Sequence, residues 1–335
     1  MARIALDAMG GDHAPKAPVA GALEALAELD RAHSIQLVGR RQVIEEQLRA
    51  LNAGDDARQR IEIVDAPDVI EMTDKPTAVR GKPNSSMMLG LKLQAEGKSE
   101  AFLSAGNTGA QMAASMLALR LHAGLKRPAI STVFPTAKRS VVVLDSGANV
   151  DCSPEELTQF GRLGATYAED LLGRKNPAVA LLSIGEEPEK GNTATKEAHA
   201  MLAASGLNFI GNCEGRDLPA GTCHYGDLDV VVCDGFVGNV VLKFYEAVAP
   251  MLVSMLIKEG LDGAAIQKAL RHLDYSEHGG APLLGVKGVS IICHGRSNPR
   301  AIKNAVKIAV QAIDTKMNEH IGRRLDAAAA AAPKS

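Results

Sequence analysis

The chain has 335 residues, 46% of them hydrophobic, enough for a large core built as one domain or as two lobes. Its formal charge is -2 with both signs spread along the chain, aromatics make up 3% and Trp is absent, so nucleic-acid stacking surfaces are not expected. The five cysteines lack C-x-x-C spacing and read as thiols of a reducing compartment.

The N-terminus runs straight into Arg3-Ile4-Ala5-Leu6-Asp7 with no signal-like apolar segment, and no apolar run approaches the ~20 residues of a membrane span. A cytoplasmic protein is expected, with peripheral contact at the inner face of the membrane left open. Strands are predicted at Ile4 to Asp7, Ile35 to Val38, Ile61 to Val64, Ala101 to Leu103, Ile130 to Phe134 and Val141 to Asp145. Four more follow at Val179 to Ser183, Asn208 to Ile210, Val230 to Cys233 and Val289 to Cys293. Helical patterns lie between most of them, starting near Pro18, near Val43 and after Ser153, an N-cap followed by Pro154. The alternation predicts right-handed βαβ crossovers and a mainly parallel sheet covered on both faces, a Rossmann-like α/β/α unit over residues 1–325. The Ala-rich tail from Asp326 is expected to fray.

The first strand ends in Asp7-Ala8-Met9-Gly10-Gly11-Asp12-His13, a polar strand end or a plain glycine turn. Arg80, Lys82, Ser85 and Ser86 precede a helix and suit an oxyanion; the structural alternative is a Ser N-cap beside two solvated bases. Ser104-Ala105-Gly106-Asn107-Thr108-Gly109-Ala110 joins a strand to a helix start, where bare N–H groups and the helix dipole favour an anion. No two glycines are spaced as G-x-G and no Walker A motif occurs, so the usual nucleotide fingerprints are missing. Similar polar turns follow the strands before Gly211-Asn212-Cys213-Glu214-Gly215 and Asp234-Gly235-Phe236-Val237-Gly238-Asn239. Cys213 occupies a nucleophile-like slot but reads as a packed small residue. Asp145 and Asp234 could bind a divalent metal, though no tight carboxylate cluster supports it. Between Val240 and Ile257 only Lys243, Glu246, Pro250 and Ser254 interrupt an apolar run. A core helix, a dimer interface and a membrane-touching hairpin with Ala264 to Leu273 compete as explanations. Exposure at a dimer tip is the expectation, with Lys258, Lys268 and Arg271 facing anionic headgroups or an acidic partner, and His272 beside them.

The stretches LDAMGGD, RGKPNSSM, SAGNTGA, LDSGAN, LLSIGEE with KGN, FIGNCEGRD, VVCDGFVGNVVLK, GGAPLLGVKG and CHGRS run in order over residues 4 to about 297. Together they resemble the bacterial phosphate acyltransferases, the acyl-[acyl-carrier-protein]:phosphate transacylases of phospholipid synthesis. Cys213 departs from the aliphatic residue usual there. The resemblance implies a fold akin to isocitrate and isopropylmalate dehydrogenases, a homodimer, and no metal or nucleotide cofactor. It implies attack of inorganic phosphate on the thioester of a fatty acyl carrier protein. Phosphate is placed near Gly106, Asn107 and Thr108, with charge from Arg80 or Lys82. Asp7, Gly10, Gly11, Ser85, Ser86, Asp234 and Gly235 complete the expected binding set. Asn212 and Asn239 are candidate oxyanion donors, and His13 or His294 the proton donor to the leaving sulfur. A membrane-bound glycerol-phosphate acyltransferase is a further candidate partner. The competing functions are a metal- and NAD-dependent hydroxy-acid dehydrogenase of the same fold and a non-catalytic membrane-surface scaffold.

Overall fold

The computed structural model describes residues 1–270, 277 and 279–331. Among the described residues fourteen strands follow in chain order: β1 Arg3–Asp7, β2 Ser34–Gly39, β3 Ile61–Asp65, β4 Ala101–Ser104, β5 Ala129–Ile130, β6 Thr132–Phe134 and β7 Val141–Leu144. Then come β8 Val179–Leu182, β9 Phe209–Cys213, β10 Thr222–Cys223, β11 Gly226–Asp227, β12 Val230–Val232, β13 Ala281–Leu284 and β14 Val289–Ile292. Each predicted strand has a counterpart, the fifth split into β5 and β6. The fold is α/β with mostly parallel pairing, as the alternation of runs requires. The chain divides into two compact units, Met1–His122 with His278–Asn318, and Ala123–Glu277 with Glu319–Ser335.

In the first unit the sheet runs in the order β3-β2-β1-β4-β14-β13. All pairs are parallel except β13 with β14. After β1 the chain moves outward through β2 to β3, and β4 then lands on the other side of β1. The order therefore reverses between β1 and β4, and the crevice outside the carboxyl ends of strands at such a point is where open α/β sheets bind ligands. Helices Lys16–Glu28 and Pro299–Asp314 pack against each other, pinned by Glu28 accepting from Lys303 and Lys307.

The second unit carries a five-stranded sheet, β6-β7-β12-β8-β9, parallel apart from β6 with β7. Helix Pro154–Leu172 starts at the expected cap: Ser153 Oγ accepts from Glu156 N and Glu156 Oε2 accepts from Ser153 N. The sheet core gathers Phe134, Val141, Val143, Ala180, Cys213, Val231 and Cys233. Helix Met317–Ala331 extends regular structure into the segment expected to fray.

The 24-residue helix Gly235–Lys258 corrects one expectation and disfavours one of the competing explanations for this run. By length and composition it is apolar enough to cross a membrane, although no run of that kind was expected. It is also not a core helix of this chain. Only Gly235 and Gly238 are buried, while Val241, Leu242 and Tyr245 lean on the sheet core. Phe244, Met251, Leu252, Met255 and Ile257 are exposed. The following helix Gly263–Leu270 packs on it, with Lys268 exposed. Arg271, His272 and Leu273 lie outside the described residues.

Candidate active site

Asp7 and Ser104 close the parallel strands β1 and β4, one step beyond the Leu6–Leu103 pair. Both are buried, at 2% and 0% exposure. Ser104 Oγ donates to Asp7 Oδ2 at 2.7 Å, and Gly106 N donates to Ser104 Oγ at 3.0 Å. Met9 N donates to Asp7 Oδ1 at 3.0 Å. The two glycine loops are thus tied together through one carboxyl and one hydroxyl. Burial pushes the Asp7 carboxyl up, opposed by Ser86, Ser104 and the Met9 and Gly10 N–H groups. The Ser86 hydroxyl faces this carboxyl without a hydrogen bond of ordinary geometry. A Cβ on Gly10 would lie 2.7 Å from Ser104 Oγ, 2.8 Å from Asp7 Oδ2 and 2.8 Å from Gly106 N, so only glycine lets the loops approach this closely. The third neighbouring strand, β14, joins at the same end through Cys293 N donating to Ser104 O at 2.8 Å. Its loop touches the first glycine loop through Asp12 N donating to Gly295 O.

Several expected binding residues turn out to be committed elsewhere. Asp7 is enclosed by the protein's own donors, Oδ1 accepting from Met9 N and Oδ2 from Ser104 Oγ, so its carboxyl is committed to bracing the loops. Asn107 caps helix Thr108–Ala118, its Oδ1 accepting from Ala110 N, and its Nδ2 donates to Met72 O and Asp74 O. The side chain is spent on the turn, while the Thr108 and Gly109 N–H groups remain as first-turn donors. Lys82 Nζ binds Asp74 Oδ2 at 2.6 Å and Val69 O at 2.9 Å, so its charge is neutralised within the loop. Ser85 is the plain N-cap of helix Ser86–Ala95. Arg80 is exposed at the end of the 3-10 turn Pro76–Arg80. Gly11 adopts φ 100°, a backbone that favours glycine. His13 is exposed. His294 Nδ1 accepts from Arg296 N at 3.0 Å, so the neutral ring carries its proton on Nε2.

The second unit holds the remaining candidates. Asp145 directly follows β7, is fully buried and accepts from Ile130 N, Gly147 N, Ala148 N, Asn149 N and Asn149 Nδ2. With five donors it is a loop organiser, not an open metal ligand. Among the described residues no group of three His, Cys, Asp or Glu is placed to hold a metal ion. Asp234 caps helix Gly235–Lys258 by accepting from Val237 N at 2.8 Å. Gly235 and Gly238 let that helix start against the Asp145 loop; a Cβ on Gly238 would lie 1.9 Å from Asp145 O. Asn239 is exposed beside Gly147. Asn212 is wholly buried and its Nδ2 donates one hydrogen to Glu187 O at 2.8 Å, which ties this amide to the loop after β8. Cys213 is packed in the core and burial pushes its thiol well up, as for Cys233; Cys293 is pushed up to about 12.

Residues 2–320 match the family described as "Fatty acid synthesis protein". The phosphate acyltransferase of Heliobacterium modesticaldum is 48% identical over 97% of this chain and 99% of its own length. That of Desulforamulus reducens is also 48% identical, over 94% of each chain. The chain belongs to the phosphate acyltransferase family. It is an acyltransferase, and phosphate is a substrate. The EutD phosphotransacetylase from Staphylococcus aureus matches in fold, with a TM-score of 0.60 at 16% identity over 92% of this chain and 93% of that one. Ser104 is the residue that sequence reasoning passed over. Its signal was a hydroxyl closing a fully apolar strand directly before the glycine turn, at the strand end that pairs with Asp7.

Proposed function

We propose that the enzyme transfers a fatty acyl group reversibly from acyl-[acyl carrier protein] to inorganic phosphate, giving acyl phosphate for phospholipid synthesis. The observation that carries this is the braced turn at the end of β4. A buried Asp7–Ser104 pair holds Gly106, and the turn opens onto the N-terminus of helix Thr108–Ala118. That seat suits a small anion, and phosphate brings its own nucleophilic oxygen. One phosphate oxygen attacks the thioester carbonyl, the C–S bond breaks, and the thiolate takes a proton. His13 and His294 are the two candidates for delivering that proton; the Arg296 N–H on Nδ1 fixes the His294 ring, and His294 could act as an acid only after protonation breaks that bond. Arg80 adds positive charge to the approach. No thiol of the protein is required, in keeping with the raised pKa of Cys213. Membership of the acyltransferase family sets the dehydrogenase alternative aside, and makes a scaffold an added role rather than the whole function.

The exposed apolar helix Gly235–Lys258 is the surface we assign to a second copy of the chain and to the inner face of the membrane, where a glycerol-phosphate acyltransferase would receive the product. An apolar face of this extent is rarely left open to water. The deciding test mixes the protein with fatty acyl carrier protein and phosphate, then traps acyl phosphate as a hydroxamate. Turnover that needs phosphate and persists in EDTA is expected. Turnover abolished by EDTA and restored by magnesium, or no acyl phosphate at all, would refute the reading.

A further inference from the structure

A carboxyl group buried to 2% exposure at a phosphate-binding crevice is an odd choice on electrostatic grounds. Its burial opposes ionisation, and once ionised it repels the anion the crevice is built to hold. What Asp7 and Ser104 do together explains the choice. Ser104 belongs to β4, and its side chain reaches across to β1 through Asp7. Its carbonyl accepts from Cys293 N, just beyond β14, and its Oγ takes the Gly106 N–H. One residue therefore ties together three strand ends and holds the first peptide in the glycine turn.

Because the Gly106 N–H is drawn inward onto Ser104, the chain leaves the turn at Asn107. Its side chain then caps Ala110 N and holds the Met72 and Asp74 carbonyls. The later first-turn N–H groups are left facing out. If the Gly106 peptide were free to rotate, the donors that follow it would lose their common aim. Gly10 is pressed against the same Ser104 hydroxyl, Asp7 carboxyl and Gly106 N–H, so the brace has no slack into which the turn could relax.

We propose that Ser104, oriented by Asp7, is a positioning residue for the phosphate substrate: it aims the Gly106–Thr108 turn and touches no reacting atom itself. The assignment rests on the phosphate seat proposed above. It makes a specific division of labour: phosphate binding depends on the pair, and acyl-donor binding does not.

The test compares wild type with Ser104→Ala and with the isosteric Asp7→Asn. Apparent KM is measured for phosphate and for acyl carrier protein thioester, and thermal stabilisation by inorganic phosphate alone is titrated in parallel. Ser104→Ala is expected to raise the phosphate KM, and the phosphate concentration needed for half-maximal stabilisation, about tenfold. The thioester KM should stay within about twofold. Asp7→Asn should move the same two quantities in the same direction. Equal changes in both KM values, an unchanged phosphate KM in the folded variants, or loss of folding in both variants would overturn the proposal in favour of a plain structural brace. Failure of the proposed acyl donor is separable. Wild type would then form no acyl phosphate, while the phosphate titration would still report on Ser104.

Discussion

Gly10→Ala is the most direct challenge to the braced crevice. The new Cβ would meet three atoms below 3.0 Å: Ser104 Oγ, Asp7 Oδ2 and Gly106 N. Two of these belong to the hydrogen-bonded pair and the third is backbone, so no flexible side-chain end is present to swing away. The glycine loop after β1 must move from the turn after β4, or the Asp7–Ser104 bond must lengthen. Overpacking of this kind costs about 1–3 kcal/mol. At about 2–4 °C per kcal/mol for a unit of this size, the melting point should fall by roughly 2–12 °C. The effect on turnover should be larger, because a displacement of about 1 Å at a positioned site costs on the order of 10²-fold. Differential scanning fluorimetry and steady-state acyl phosphate formation measure the two effects. Gly215→Ala serves as control: a Cβ there meets nothing within 4 Å, and both quantities should match wild type. A Gly10→Ala enzyme with an unchanged melting point and full turnover would refute the close approach on which the site argument depends.

Asn107→Ala removes a helix cap together with the tether to the Met72 and Asp74 carbonyls. It should cost about 1–2 kcal/mol of stability as well as activity, read by urea titration and turnover. Cys213→Val should keep turnover within a few-fold, and mass spectrometry of quenched reactions should find no acyl group on Cys213 of the wild type, because that thiol is buried and its pKa raised. Glu28 is held at about 2, against an ordinary 4.5, by hydrogen bonds from Lys303 and Lys307. Its contribution is complete above pH 4.5 and is lost as pH falls toward 2, so Glu28→Gln should flatten acid unfolding in that window, less so in high salt. Leu252→Glu with Met255→Glu should release the protein from anionic liposomes or shift its mass in light scattering, and leave each chain folded. Unfolding would mean that this helix is core.

Local signals in the sequence determined much of this protein. Apolar runs separated by glycine turns located the strands, since a buried parallel strand must be apolar throughout and its exit must turn sharply. The cap Ser153-Pro154 marked a helix start because a cap's hydrogen bonds close within four residues; the reciprocal bond from Ser153 N to Glu156 appeared only in the structure. Residues 104–110 were legible as a strand end, a turn and a helix N-terminus for the same reason. Contacts between distant segments were not legible. Asp7 and Ser104 are 97 positions apart, and they meet only because the sheet order puts β4 beside β1. Lys82 reads as a free cation until Asp74 folds back onto it. Asn212 reads as a loop amide until burial commits it to Glu187 O. The helix Gly235–Lys258 shows the limit most clearly. Its composition demanded cover, but only the tertiary structure decided that this chain covers one end of it and leaves the rest exposed. Hydrophobicity is a property of the residue, whereas burial is a property of what the rest of the chain places against it.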